Sequence, residues 1–128
     1  MGWMLDTSVV IHLIEGNSSI LMRVAQLSPD PVISAFTRVE LEAGVIRLPD
    51  QKAERRQRLD EILKTLDVLD FSNDAAAQYG VIIAETGFSR RQIFDRMIGA
   101  HAIAANLTLV SMNGADFQGI PGLSLLAW

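Results

Sequence analysis

The sequence predicts an α/β protein, a central parallel sheet of four to five strands flanked by helices. Short apolar runs such as "GWML", "VIS" and "LTLVS" alternate with longer stretches of helical period, the pattern of parallel strands joined by crossover helices. No internal repeat, low-complexity tract or long linker interrupts that alternation. With 128 residues, 49% of them hydrophobic, the chain can bury a core on both faces of one sheet, and a single domain is expected.

Each element has a local reason. Gly2 to Leu5 is too short and too apolar for an amphipathic helix and reads as a buried first strand. Thr7 or Ser8 is expected to cap the next helix, which carries Val9, Val10, Leu13 and Ile14. A second helix runs from about Ser18 to Leu27, until "SPDP" breaks it before a strand at Val32 to Ser34. Helices are expected near Phe36 to Arg47 and Gln51 to Leu66, divided by Pro49. "DVLDF" reads as a strand, and Ser72 caps a helix that ends at Gly87. Ile93 to Ala105 is the last helix, "LTLVS" the next strand, and "LSLLA" a possible final one.

Composition removes several classes of function. Without cysteine there is no disulfide, thiolate zinc site or cysteine nucleophile, in keeping with a reducing compartment. No apolar run reaches the roughly 18 residues of a membrane span, and the N-terminus lacks the pattern of a signal peptide. A cytoplasmic protein is expected. A net charge of −4 argues against a broad basic surface for nucleic acid, so any such partner must be held by a local patch.

In open parallel sheets the functional crevice lies beyond the carboxyl ends of the strands. Asp6 follows the first strand, Asn113 and Asp116 follow "LTLVS", Glu40 lies on the helix after "VIS", and Asp95 opens a helix. Each has an ordinary structural explanation. Asp6 suits a helix N-cap, although Thr7 and Ser8 can cap without charge. Glu40 closes a capping box with Thr37 in "TRVE", a role that disappears if Ser34 starts the helix. On that helix Phe36, Val39, Ala43 and Ile46 are expected to form the apolar stripe, with Glu40 inside it and Glu42 at the surface. Asp95 complements the helix dipole and shares a face with Ile98, Gly99 and Ala102, whose small members permit close approach to the sheet. Asp116 follows the Asn113-Gly114 turn. Together, four converging acids would repel unless a cation sat between them, and an oxygen-only donor set favours Mg²⁺ or Mn²⁺. His12 and His101 form no helical pair and are read as packing or surface residues.

"MLDTSVVI", "TRVELEAGV", "FDRMIGAHAIAANLTLVS" and "NGADFQGIPGL" resemble, in order, the motifs of PIN-domain ribonucleases, most closely the VapC-type toxins of toxin–antitoxin pairs. The resemblance spans essentially the whole chain and implies one PIN-like ribonuclease domain over residues 1–128. It further implies an acidic Mg²⁺ or Mn²⁺ pocket made by Asp6, Glu40, Asp95 and Asp116, and hydrolysis of RNA phosphodiester bonds. Asn113 stands where many relatives carry an acid, and either binds through its amide oxygen or orients a water. Ser111 keeps the hydroxyl of a frequent threonine. The activating proton acceptor is Glu40 or Asp116. A VapB-like antitoxin, a homodimer and a tRNA substrate are the partners the family leads one to expect.

Nine of the eleven cations are arginine, suited to bidentate phosphate contacts. Arg90, Arg91 and Arg96 flank Asp95 and are the expected RNA-positioning residues, with a solvated helix start as their plain alternative. "KAERRQR" is expected to make i,i+4 surface pairs with Glu54, Asp60 and Glu61. Apolar residues on the early helices offer a groove to an antitoxin segment or a second copy. The non-enzymatic alternative is a small α/β interaction module whose acids are only helix caps.

Overall fold

The protein is described over residues 2–128 by a computed structural model. Five strands form one parallel sheet: β1 (Gly2–Leu5), β2 (Val32–Ser34), β3 (Asp67–Leu69), β4 (Leu107–Ser111) and β5 (Leu125–Ala127), in the spatial order β3-β2-β1-β4-β5. The helices are α1 (Thr7–Ile14), α2 (Ser18–Ala25), α3 (Ala35–Ile46), α4 (Lys52–Leu63), α5 (Asn73–Thr86) and α6 (Ile93–Ala104).

Alternation along the central strands sorts these helices into two layers. Leu5, Ile33 and Val110 point to one face, where they pack with Val9 and Val10 of α1, Ile20 of α2, Leu41 and Val45 of α3 and Leu59 of α4. Met4 and Leu109 point to the other, against Ile82 of α5 and Ile98, Ala100 and Ala102 of α6. Because successive strands first step outward from β1 to β3 and then return to β4 on its other side, the chain reverses direction between β1 and β4. That reversal opens a crevice at the strand ends.

Most elements fall where the sequence places them, and the differences have physical reasons. Asp6, rather than Thr7 or Ser8, caps α1: its side chain accepts the Val9 amide at 3.1 Å. Helix α2 closes at Ala25, two residues before Leu27. Helix α3 starts one residue before Phe36 because the Ser34 hydroxyl accepts the Phe36 amide at 3.1 Å, which removes the capping-box role of Glu40. Its buried stripe is Thr37, Leu41 and Val45; Val39 and Ile46 are 55% and 62% exposed and Ala43 is exposed as well, so the buried face lies about half a turn from the expected stripe. Pro49–Gln51 forms a 3₁₀ turn that delays α4 to Lys52, and α4 ends at Leu63 although Leu66 beyond it stays buried. Strand β3 stops at Leu69, so Asp70 and Phe71 leave the sheet, and Phe71 packs edge-on to Phe36 and His101. His101 is a packing residue as expected: it is buried with Nδ1 2.8 Å from the Ser34 hydroxyl, and burial holds it below the usual imidazole range.

Two glycines probe this packing in opposite directions. A methyl group on Gly114 would meet the Cβ of Ala127 at 2.8 Å, whereas Gly80 faces open space in the exposed face of α5. Gly114→Ala is expected to lower stability by about 1–3 kcal/mol through overpacking, and Gly80→Ala to raise it by about 0.5–1 kcal/mol through unfolded-state entropy. Urea denaturation of both variants checks the pair.

Candidate active site

Strand β1 delivers Asp6 to the crevice still paired to the sheet, its amide donating to the Val110 carbonyl at 3.0 Å. The side chain is 4% exposed and meets no cation among the described residues. Hydrogen bonds offset that burial. Oδ1 accepts the Ser8 hydroxyl at 2.6 Å and the Val9 amide, and Oδ2 accepts the Ser111 hydroxyl at 2.6 Å. Each serine oxygen in turn accepts an amide from the chain leaving β4: Met112 N–H to Ser8 at 3.1 Å and Asn113 N–H to Ser111 at 2.9 Å. Burial raises the Asp6 carboxyl above its ordinary range, opposed chiefly by the bonds from Ser111 and Ser8.

The other acids arrive from separate elements. Glu40 projects from α3, and its Oε1 accepts the Thr7 hydroxyl at 2.6 Å; that same hydroxyl lies 3.3 Å from the buried Thr37 hydroxyl. Asp95 sits in the first turn of α6, whose close seat is set by Gly99 against the Ile120 side chain rather than against the sheet. Asp116 lies in the 3₁₀ turn Gly114–Phe117, and Asn113 just before it spends no side-chain bond on capping. Asp6, Glu40, Asp95, Asn113 and Asp116 all line one cleft of about 180 Å³, with Ile98 and Phe117 as apolar wall.

Among the described residues no lysine or arginine lines this cleft. Asp95 shows the result: its carboxyl is pushed up to about 6, first by burial and then by the negative charges of Asp116, Glu40 and Asp6. The donors are oxygen atoms only, which suits a hard divalent cation. Among the described residues no three acids or histidines stand close enough to cage an ion by themselves. A cation that keeps several waters, as Mg²⁺ does, fits such an open donor set.

Of the arginines expected to grip substrate, Arg90 and Arg91 are exposed and Arg96 donates to the Gly87 carbonyl at 2.7 Å; none lines the acidic cleft. The expected pairs on α4 are present, Arg58 with Glu54 at 2.6 Å and Arg56 with Asp60 at 2.6 Å. Glu42 is more than a bare surface acid, since Arg56 and Arg38 both bind it and hold its carboxyl below the ordinary range. Sequence reasoning treated Thr7 and Ser8 as caps and missed their work on Glu40 and Asp6. The available signal was the pair of hydroxyl residues directly after a strand-terminal aspartate.

An open parallel sheet with four acids gathered at its central crevice is the architecture of the PIN domain, and the model of that family matches residues 3–123. The chain belongs to the PIN-domain family, and within it to the VapC-type ribonucleases. It is 30% identical to Ribonuclease VapC2 of Rickettsia felis over all of this chain and 98% of that protein. It is 32% identical to the tRNA(fMet)-specific endonuclease VapC of Shigella flexneri over 98% of this chain and 97% of the other. The crystal structure of VapBC2 from Rickettsia felis bound to a promoter DNA fragment contains a chain that superposes with a TM-score of 0.87 at 30% identity, covering 100% of this chain and 99% of that one.

Two consequences of the site are measurable without substrate. Removing the Ser111 hydroxyl strands both Asp6 Oδ2 and the Asn113 amide, so Ser111→Ala is expected to cost about 1–3 kcal/mol in denaturant unfolding. Asp95 has a folded-state pKa above its unfolded value, so its charged form destabilises the metal-free fold above pH 6, and stability is regained as pH falls through about 6. Asp95→Asn is therefore expected to stabilise the metal-free protein at pH 7.5 by about 1–2 kcal/mol after allowance for solvent screening. That gain should vanish near pH 4.

Proposed function

We propose that this chain is a metal-dependent endoribonuclease acting as the toxin of a toxin–antitoxin pair, residues 1–128 working as one PIN-like ribonuclease domain in the cytoplasm. The observation that carries the reading is the cation-free cleft in which Asp6, Glu40, Asp95 and Asp116 meet from four different elements. Four carboxylates so placed are unfavourable for a binding module and useful for a nuclease. Asp6, Glu40, Asp95 and Asp116 would hold Mg²⁺ or Mn²⁺ together with waters that the ion keeps. The ion, when bound, supplies the positive charge that makes a water more acidic and offsets charge on the phosphate.

The chain's own residues do the remaining work. Ser8 and Ser111 fix the rotamer of Asp6, which lines the cleft with one acceptor position of Oδ2 uncommitted. Thr7 holds one oxygen of Glu40 and leaves the other available to a water, while Asp116 has no such tether. Glu40 or Asp116 accepts the proton of the attacking water. Asn113 offers an amide oxygen to the ion or a bound water, and Ser111 supports it by accepting the Asn113 amide. Ile98 and Phe117 limit water at the back of the cleft.

Substrate and partner are read from relatives. The Shigella flexneri relative is called a tRNA(fMet)-specific endonuclease, which supports tRNA as the RNA class. The Rickettsia felis toxin was solved as a VapBC2 complex, which supports a VapB-like antitoxin as the partner. A homodimer is the assembly we propose for the free toxin.

The test is cleavage of a purified tRNA pool. With Mg²⁺ the protein is expected to cut one tRNA at one site and leave unstructured RNA intact. Chelator should abolish the cut, and Asp95→Asn should slow it by at least about 100-fold. A folded, metal-saturated protein that leaves every tRNA whole would reject the tRNA assignment, and an unchanged melting temperature at millimolar Mg²⁺ or Mn²⁺ would reject the metal site.

A further inference from the structure

The acidic cleft repels the polyanion it is proposed to cut, so the grip on RNA must come from cations beside it rather than in it. A second, larger groove of about 520 Å³ opens from the same place. Thr7, Ile11 and Glu40 line both, so the groove and the acidic cleft adjoin along these side chains. Helices α1, α3 and α4 wall the groove, and Arg47, Arg55 and Arg58 border it.

Those three arginines are in different electrostatic states. Arg58 is neutralised by Glu54 at 2.6 Å. Arg55 touches only neutral acceptors, the Gln51 amide oxygen at 3.4 Å and the Gly44 carbonyl at 3.3 Å, so its charge is not cancelled. Arg47, exposed at the end of α3, makes no side-chain hydrogen bond or ion pair among the described residues. Glu15, Glu40 and Glu54 line the groove with these three cations, so its formal charges balance overall, and what it offers a phosphate is Arg47 and Arg55, which no carboxylate among the described residues binds. The groove's apolar lining includes Ile11, 43% exposed, and the half-buried Ile14, surfaces against which the faces of unpaired bases can lie. Arg38 and Arg56 are engaged by Glu42, Arg96 by a carbonyl, and Arg90 and Arg91 line neither cavity.

We infer that this groove holds the RNA strand flanking the scissile phosphate, with Arg47 as its principal phosphate contact and Arg55 as the second. The inference rests on the ribonuclease reading and moves the substrate grip from the start of α6 to the α3–α4 junction. Arg47 is a positioning residue: it sets where the strand lies and leaves the hydrolytic groups untouched.

The experiment separates binding from cleavage. In the Asp95→Asn background, a short RNA spanning the cleavage site is titrated by fluorescence anisotropy at several KCl concentrations. Arg47→Ala is expected to weaken binding roughly tenfold and to reduce the salt slope by about 0.7, one single-strand phosphate contact. Lys64→Ala, an equal charge change at an exposed position outside both cavities, should move neither. In the active protein Arg47→Ala should raise KM and keep kcat. Unchanged affinity and slope, or a loss confined to Arg90→Ala or Arg91→Ala, would overturn the groove while the ribonuclease stands. Intact RNA binding with lost binding of an antitoxin fragment would make the groove a protein-docking face and overturn it too. Failure of the unsubstituted protein to bind or cut any RNA would overturn both readings.

Discussion

The site depends on how a buried aspartate without a counter-ion is kept in place. Asp6 receives three donors, and two of them are serines whose own oxygens are bound by amides of the segment leaving β4. A carboxylate with a donor on each oxygen can stay buried, whereas an oxygen with none is an unpaired polar atom at a cost of about 1–3 kcal/mol. The same bonds tie the end of β1, the start of α1 and the exit of β4 to one side chain. Asn113 and the turn bearing Asp116 hang from that tie, so cleft shape follows from Asp6 before any ion binds. Capping and membership of the acidic cleft are thus compatible roles of one residue.

Topology explains why the acids meet here. Parallel strands send every β-to-α connection to the same end of the sheet, and only where the strand order reverses do two such connections diverge and leave room. Here the reversal lies between β1 and β4, the strands that precede Asp6 and the Asn113–Asp116 segment. Helix α3, reached from β2, carries Glu40 over the crevice from one layer, and α6 brings Asp95 from the other. Two hydrophobic cores, one per face, hold these helices against the mutual repulsion of their acids.

The fold was legible because strand and helix periods differ and because Pro29, Pro31, Pro49 and Gly87 punctuate them. The four acids and Asn113 were legible from their places just beyond strand ends and at helix starts. What failed was the inward face of α3. Hydrophobicity selected Val39 and Ile46, but the structure buries Thr37, whose hydroxyl meets that of Thr7 across the helix pair. A period count has no means of knowing that a polar residue will find a partner thirty positions away. For the arginines the sequence offers only proximity along the chain. Arg90 and Arg91 are near Asp95 in sequence and line neither cavity, while Arg47 and Arg55 are distant in sequence and border a groove that adjoins the acids. Which cations face a site is fixed by helix crossings that one chain does not spell out.

The separation of charge is itself a requirement. An arginine inside the cleft would pair with the acids, as Arg56 does with Glu42 and Asp60, and would occupy the place a divalent ion needs. Removing every cation from the neighbourhood would leave an acidic surface that RNA avoids, since binding of a polyanion draws on counterion release at each phosphate contact. The proposed arrangement puts acids at the strand ends and Arg47 at the far end of the helix that carries Glu40, with Arg55 on α4, on a groove that shares Thr7, Ile11 and Glu40 with the cleft. Thr7 and Glu40, bound at 2.6 Å where the two cavities join, are then the point at which a strand held by arginine would be presented to the acids.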